Sequence, residues 1–410
     1  MIKTLTPKTA AGTVQAVSSK SFLHRALICA ALCAGTTDIL CGEVGEDVLA
    51  TADCLTRLGA RLTRTREGFS VCGGLREDSA VLFCRESGST LRFLLPVTAA
   101  LGIPAEFICE NSLLARPTEP LLSAMEANGC RITKTATGLT CEGQLRPGCY
   151  RISGKVSSQY LSGLLLALPL LSADSKIVPT EPLSSAPYVR LTRAVQALFG
   201  VYSSEEFSVC GRQHYQSAPM LTAEGDWSGA APFLCAGAFS DRGVTVNGLS
   251  ADSVQGDRAI TELLSRFGAR VTATDRAVTV RRGDLRGLEI NAADIPDLVP
   301  LLALLGACAE GETVICGAGR LRKKESDRLQ TTAQVLNTLG ARVTVLPDGL
   351  HILGTTRLTG GAVSACGDHR IAMLAAVASF ACVSPVQIDG AEAVGKSYPS
   401  FFEDLARISR

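Results

Sequence analysis

The sequence is short of the features that give a quick functional reading. Only four histidines occur, His24, His214, His351 and His369, and neither His nor Cys clusters at metal-ligand spacing. There is no G-x-G-x-x-G fingerprint, which argues against dinucleotide redox cofactors. None of the sixteen cysteines forms a C-x-x-C pair. They fall mostly in apolar helical patterns, such as Cys29 and Cys33, Cys235, Cys308 and Cys382, and read as small core residues in a reducing compartment. Net charge is only +1, so no global field recruits nucleic acid or membrane, and any anion site must be a local gathering of cations. The longest apolar runs, Tyr160 to Leu171 and Leu298 to Cys308, contain Gly or Pro and are too short to span a bilayer. Met1-Ile2-Lys3-Thr4 does not read as a signal peptide. The expectation is a soluble, cytoplasmic protein.

What is present is repetition. The chain has 410 residues, 46% apolar and 19% charged, enough for two domains with sizeable cores. An amphipathic helix, a glycine, a small residue and a strand recur at Leu58-Gly59-Ala60-Arg61, Asn128-Gly129-Cys130-Arg131, Phe199-Gly200-Val201, Phe267-Gly268-Ala269-Arg270 and Leu339-Gly340-Ala341-Arg342. By subtraction these glycines lie 70, 71, 68 and 72 residues apart. Each suits a left-handed helix C-cap, and a strand-turn-strand hairpin is expected after each. A second, more apolar helix follows every time. Its polar starts are Ser18-Ser19-Lys20-Ser21, Ser87-Gly88-Ser89-Thr90, Ser157-Ser158-Gln159, Asp226-Trp227-Ser228, Asp294-Ile295-Pro296-Asp297 and Gly367-Asp368-His369-Arg370. The amphipathic helices start near Gly45-Glu46-Asp47, Arg116-Pro117-Thr118, Ser185-Ala186-Pro187, Gln255-Gly256-Asp257, Glu325-Ser326-Asp327 and Lys396-Ser397-Tyr398.

The last helix, Tyr398 to Ile408, has no hairpin after it, while Ile2 to Thr6 and Gly12 to Val17 are strand-like with no helix before them. The N-terminal strands are therefore expected to complete the C-terminal unit. This gives six α/β units in two groups of three, with crossings near Val17–Ser19 and Glu224–Asp226. The expected domains are 1–18 plus 226–410, carrying both termini, and an inserted 19–225.

Cations collect at the helix starts. Lys20 and Arg25 occupy the first turns of a helix, where the dipole favours anions. A lysine there is explained if a phosphate or carboxylate binds beside the free N–H groups and serine hydroxyls. Arg92, Arg116, Lys324, Arg328, Arg370 and Lys396 stand at comparable positions, with Asp297, Glu325 and Asp368 among them. Any one such motif reads equally as a cap or a surface ion pair worth ~0–1 kcal/mol. Parallel helices around a pseudo-threefold would aim all their N-termini at one surface. Two such domains face to face would form a cleft suited to two anionic small molecules.

Together these motifs resemble the EPSP synthase family of enolpyruvyl transferases. The resemblance covers essentially the whole chain, on Ser19-Lys20-Ser21-x-x-His24-Arg25, Ser87-Gly88-Ser89-Thr90-Leu91-Arg92, Ala115-Arg116-Pro117, Ser157-Ser158-Gln159 and Ile295-Pro296-Asp297. It continues on Leu321-Arg322-x-Lys324-Glu325-Ser326-Asp327-Arg328, Asp368-His369-Arg370 and Lys396-Ser397-Tyr398-Pro399. It implies an α/β fold of two domains, each three repeated βαβαββ units around a pseudo-threefold, facing across a cleft. It implies transfer of the enolpyruvyl group of phosphoenolpyruvate to the 5-hydroxyl of shikimate 3-phosphate, with release of phosphate and no metal or cofactor. By resemblance, Lys20, Ser21, Arg25, Ser157, Ser158, Gln159, Ser185, Tyr188, Asp297 and Lys324 hold shikimate 3-phosphate. Lys20, Gly88, Arg92, Arg116, Gln159, Arg328, Arg370 and Lys396 hold phosphoenolpyruvate. Asp297 is the expected base, Glu325 the proton donor to carbon, and Lys20 assists near the bridging oxygen. Two carboxylates in different protonation states among cations suit that pair of proton transfers. A monomer is expected, with no nucleic-acid or membrane partner.

The chain departs from the family pattern at Val17, Glu86, Ser89 and Arg320. Two alternatives share parts of the reading. One is UDP-N-acetylglucosamine enolpyruvyl transferase, which usually carries a reactive cysteine where this chain has Asn111, with Cys109 two residues away. The other is a non-catalytic anion-binding repeat protein.

Overall fold

The computed structural model describes residues 1–110, 112–355 and 357–410. Asn111 lies outside the described residues. The chain divides into two compact units, Met1–Ser19 with Glu224–Arg410, and Lys20–Ala223.

The Lys20–Ala223 unit is built on three buried helices, α1 (Lys20–Ala31), α2 (Gly88–Leu101) and α3 (Ser158–Ala167). They are apolar on nearly every face, as a fully enclosed helix must be. From Phe22 to Ala31 every residue of α1 is buried. Three amphipathic helices, Glu46–Arg57, Glu119–Glu126 and Ala186–Leu198, lie between three small sheets. In the first sheet, Thr36–Leu40 runs parallel to Met220–Thr222 and antiparallel to the hairpin strand Gly68–Cys72. The second repeats this plan with Ala80–Arg85, Ala105–Cys109 and the hairpin Cys130–Lys134/Gly138–Gly143. The third has only three strands. Cys149–Ile152 pairs parallel with Ser175–Pro179, and the antiparallel edge is the two-residue strand Ser208–Val209.

That third sheet corrects the expectation of a hairpin after Gly200. Residues 202–206, Tyr-Ser-Ser-Glu-Glu, lack the apolar alternation that seats a strand on a core, so the segment runs as loop. The other four repeat glycines are followed by antiparallel hairpins. All five have positive φ, between 72° and 108°, the region a glycine cap supplies.

The other unit repeats the plan with α4 (Trp227–Gly237), α5 (Val299–Ala307) and α6 (His369–Ala378). Its sheets centre on the strands Gly243–Asn247, Glu312–Cys316 and Val386–Asp389. The N-terminal strands complete it. Ala11–Gln15 pairs parallel with Gly243–Asn247, and Ile2–Leu5 pairs antiparallel with Val386–Asp389, Ile2 opposite Asp389. Ile2–Leu5 thus takes the edge that Ser208–Val209 holds in the other unit. Each unit closes its own hydrophobic core.

Candidate anion-binding and active site

In the Lys20–Ala223 unit the geometry is set by the starts of α2 and α3. Ser87 caps α2 by accepting from the Thr90 amide at 3.3 Å, and Ser157 caps α3 by accepting from the Gln159 amide at 3.3 Å. The two helices cross closely at Gly163, where a Cβ would stand 2.1 Å from the Arg92 carbonyl oxygen. Their first turns therefore share side chains. Arg92 Nη1 donates to Gln159 Oε1 at 2.6 Å and its Nη2 to the Pro117 carbonyl at 3.0 Å. Gln159 Nε2 donates to Ser89 Oγ at 2.9 Å. A Cβ on Gly88 would lie 3.1 Å from Arg92 Nη1 and 3.2 Å from Arg116 Nη2, so backbone and two guanidiniums meet there. Gly88, Ser89, Arg92, Arg116 and Gln159 form one cluster, with both arginines buried.

Lys20, the first residue of α1, pairs with Asp47 at 2.9 Å. Arg25, one turn on, points into the fold. Its Nε donates to Thr192 Oγ1 at 2.7 Å, Nη1 to the Ser21 carbonyl at 2.7 Å, and Nη2 to Ser162 Oγ at 3.3 Å and the Tyr188 carbonyl at 3.1 Å. Three of its five N–H groups thus hold α1 to α3 and to the helix Ala186–Leu198, and a fourth turns back onto α1 itself. Burial brings this guanidinium down to about 10. Ser185 precedes that helix in a left-handed conformation with φ 59° and is buried, as is Ser158.

In the other unit Arg328 is the hub. It begins the helix Arg328–Thr338, and its side chain is 2% exposed. Nη1 donates to Asp297 Oδ1 at 2.8 Å, Nη2 to Glu325 Oε2 at 2.6 Å, and Nε to Asp368 Oδ2 at 2.7 Å. Asp368 also caps α6 through the Arg370 amide at 2.9 Å and accepts from Ser326 Oγ at 3.1 Å. Arg370 Nη2 reaches Asp297 Oδ2 at 3.4 Å, while its Nη1 donates to the Ser228 carbonyl at 2.8 Å. Lys324 Nζ stands 3.9 Å from Asp297 Oδ1. Burial works against the Asp297 anion, but Lys324, Arg370 and Arg328 outweigh it and hold the carboxyl well below the usual range. Lys396 Nζ donates to the Gly367 carbonyl at 2.8 Å. Lys324, Arg328 and Arg370 thus gather around the Asp297 carboxylate, with Glu325 held on Arg328.

Three departures from the family pattern have local partners. Glu86 accepts from the Ser112 hydroxyl at 3.2 Å, Ser89 is the acceptor for Gln159, and Arg320 donates to the Ala293 carbonyl. Residues that the motifs did not single out also border the clusters: Asp47 beside Lys20, and Ser228 with Asp257 behind Arg370. Each stands at a helix start read from the sequence, which was the signal available for them. Among the described residues no group of three or more His, Cys, Asp or Glu is placed to hold a metal ion, and no helix is long and apolar enough to cross a membrane.

Comparison with known proteins adds three findings. The family model for EPSP synthase (3-phosphoshikimate 1-carboxyvinyltransferase) matches residues 5–405. The 3-phosphoshikimate 1-carboxyvinyltransferase of Clostridium kluyveri is 41% identical over 98% of this chain and 96% of its own, and that of a Clostridium perfringens strain is 39% identical over 99% and 97%. The solved structure of EPSP synthase from Acinetobacter baumannii superposes with a TM-score of 0.82 at 26% identity, covering 100% of this chain and 98% of that one.

Proposed function

The chain belongs to the EPSP synthase family, and on that premise we propose how its own residues divide the work. The reaction transfers the enolpyruvyl group of phosphoenolpyruvate to shikimate 3-phosphate in the shikimate pathway. In atoms, the 5-hydroxyl oxygen bonds to C2 of phosphoenolpyruvate while its proton leaves and a proton is added at C3. The C2–O bond to phosphate then breaks, and a C3 proton departs to restore the double bond.

Asp297 takes the hydroxyl proton. Glu325 delivers a proton to C3, with Lys20 donating near the bridging oxygen. Gly88, Arg92, Arg116, Gln159, Arg328, Arg370 and Lys396 bind phosphoenolpyruvate, where guanidinium forks match carboxylate and phosphate. Ser21, Ser157, Ser158, Gln159, Ser185, Tyr188 and Lys324 bind shikimate 3-phosphate, and Arg25 offers it the one N–H not used by the fold. A cytoplasmic monomer is part of the same proposal, supported by sixteen free thiols and by a closed core in each unit.

The observation that carries this reading is the Asp297 carboxylate shared by Arg328 and Arg370. A carboxyl so acidic is a weak base. The anions of phosphoenolpyruvate compete for the same two guanidiniums. As they take them over, Asp297 loses counter-charge and grows more basic just when the hydroxyl arrives. The test is phosphate release from the two substrates. Asp297→Asn should bind shikimate 3-phosphate by calorimetry yet turn over roughly 10²–10⁴-fold more slowly. A near-normal kcat removes Asp297 from the mechanism, and phosphate release with a UDP-amino-sugar acceptor instead would move the chain to the sister reaction.

A further inference from the structure

Asp257 is a carboxylate that the mechanism above leaves unused. It sits in the short 3-10 segment Gly256–Ala259 and is 1% exposed. Its Oδ2 accepts from Ser228 Oγ at 2.5 Å. Its Oδ1 is buried with no hydrogen-bond partner among the described residues. A buried carboxyl with an unmatched oxygen is costly, and an apolar residue would fill the position more cheaply.

Its surroundings say what it is for. The Ser228 carbonyl accepts from Arg370 Nη1 at 2.8 Å, and Arg370 Nη2 reaches Asp297. Two residues before Asp257, Gln255 grips the same helix start. Its Oε1 accepts from the Trp227 amide at 3.1 Å, and its Nε2 donates to the Gly225 carbonyl at 2.8 Å. Residues 255–257 therefore fix the first turn of α4, and that turn fixes Arg370. The charged groups facing Asp257 are Arg370 from α6, Asp226 from the cap of α4, and Asp297 from the turn before α5.

We propose that Asp257 is a positioning residue for the donor substrate: through Ser228 it aims Arg370 at phosphoenolpyruvate, and its charge state sets how strongly Arg370 attracts that anion. The proposal rests on the reading of Arg370 as a phosphoenolpyruvate ligand. Burial first, and Asp297 next, push the Asp257 carboxyl up to about 7, with Ser228 and Arg370 pulling the other way. Below that pH Asp257 is neutral and Arg370 presents its full charge to the substrate. Above it the Asp257 anion offsets Arg370 from behind. It also repels Asp297, which makes that base stronger. Rising pH should therefore weaken phosphoenolpyruvate binding without lowering turnover.

The experiment is the phosphoenolpyruvate KM of wild type and Asp257→Asn from pH 6 to 9, at saturating shikimate 3-phosphate. Asparagine keeps an acceptor for Ser228 and removes the charge. The ratio of wild-type to variant KM should be near one at pH 6 and about three- to tenfold at pH 8.5, the size of one added charge behind a partly buried cation. Substrate phosphates and Lys324 titrate alike in both proteins and cancel in the ratio. Ser228→Ala provides a second route should the asparagine variant not fold. It removes the donor to the Asp257 carboxylate, favours the neutral acid, and should move the rise in KM to higher pH. A flat ratio, or a Ser228→Ala profile that superposes on wild type, overturns the proposal. Arg370→Ala separates the two layers. If it leaves the phosphoenolpyruvate KM unchanged, the reading of Arg370 falls and this proposal with it. If it raises KM while the ratio stays flat, only the role of Asp257 falls.

Discussion

Lys324 is an ammonium pulled in two directions. Burial lowers it to about 8, with Arg328 and Arg320 adding to the drop and Asp297 and Glu325 opposing it. The neutral form is thus favoured relative to a free lysine, and part of the charge is lost at mildly alkaline pH. A bound phosphate reverses that balance, because it stabilises the ammonium. Binding of shikimate 3-phosphate at pH 8.5 should therefore take up a proton, seen by calorimetry in two buffers of different ionisation enthalpy. Its affinity should fall as pH rises through about 8, approaching tenfold per pH unit. Lys324→Met should bind more weakly but without uptake and without that slope. Uptake that persists in the variant would assign the titration elsewhere. The four-residue spacing of Lys324 and Arg328 was visible in the sequence. That Arg25 spends most of its donors on Thr192, Ser162 and Tyr188 was not, because those partners come from helices more than a hundred residues away.

At the level of elements, the helix starts and the repeat glycines were the legible part. Serine and aspartate caps at Ser87, Ser157, Asp226, Asp327 and Asp368 are local signals, and the structure uses each as a cap. Strand edges were less legible. The loop after Gly200 follows from the polar run at 202–206 that the repeat had masked, whereas the pairing of Ile2–Leu5 with Val386–Asp389 depends on which distant strand is free to pair, which local pattern does not encode. The close crossing of α2 and α3 was hidden for the same reason, yet it sets the anion cluster. Gly88 is the point of that cluster where backbone and guanidiniums meet. A methyl there would stand 3.1–3.2 Å from the Arg92 and Arg116 guanidiniums, which would have to shift by a few tenths of an ångström. Gly88→Ala should raise the phosphoenolpyruvate KM roughly tenfold while shikimate 3-phosphate binding changes little. Equal loss for both ligands would mean that the substitution disturbs the whole helix start rather than the donor subsite.

For the whole molecule the question is how two units act on one pair of substrates. Lys20, Gly88, Arg92, Arg116 and Gln159 belong to one unit, and Asp297, Glu325, Arg328, Arg370 and Lys396 to the other. Under the proposed assignment phosphoenolpyruvate contacts both sets. The chain passes between the units twice, and the two passages are neighbours: the Ser19 amide donates to the Glu224 carbonyl at 2.8 Å, and the Asp226 amide to the Val17 carbonyl at 2.8 Å. Two short extended segments joined by a single bridge, Ser18 to Gly225, make a short pivot, the kind of element that absorbs a hinge rotation. Each unit carries cations at its own helix starts, and a bound anion offsets that charge. Any closing force must come from the ligand's higher affinity for the form in which it touches both units. Shikimate 3-phosphate should therefore reduce the radius of gyration measured by small-angle scattering, and adding an anionic mimic of phosphoenolpyruvate should reduce it further. High salt should weaken the ligand effect, because exposed charges are screened beyond about 8–10 Å. A radius of gyration that stays unchanged at saturating ligand, with binding established by calorimetry, would count against the pivot and leave a site whose two halves need no rearrangement to meet the substrates.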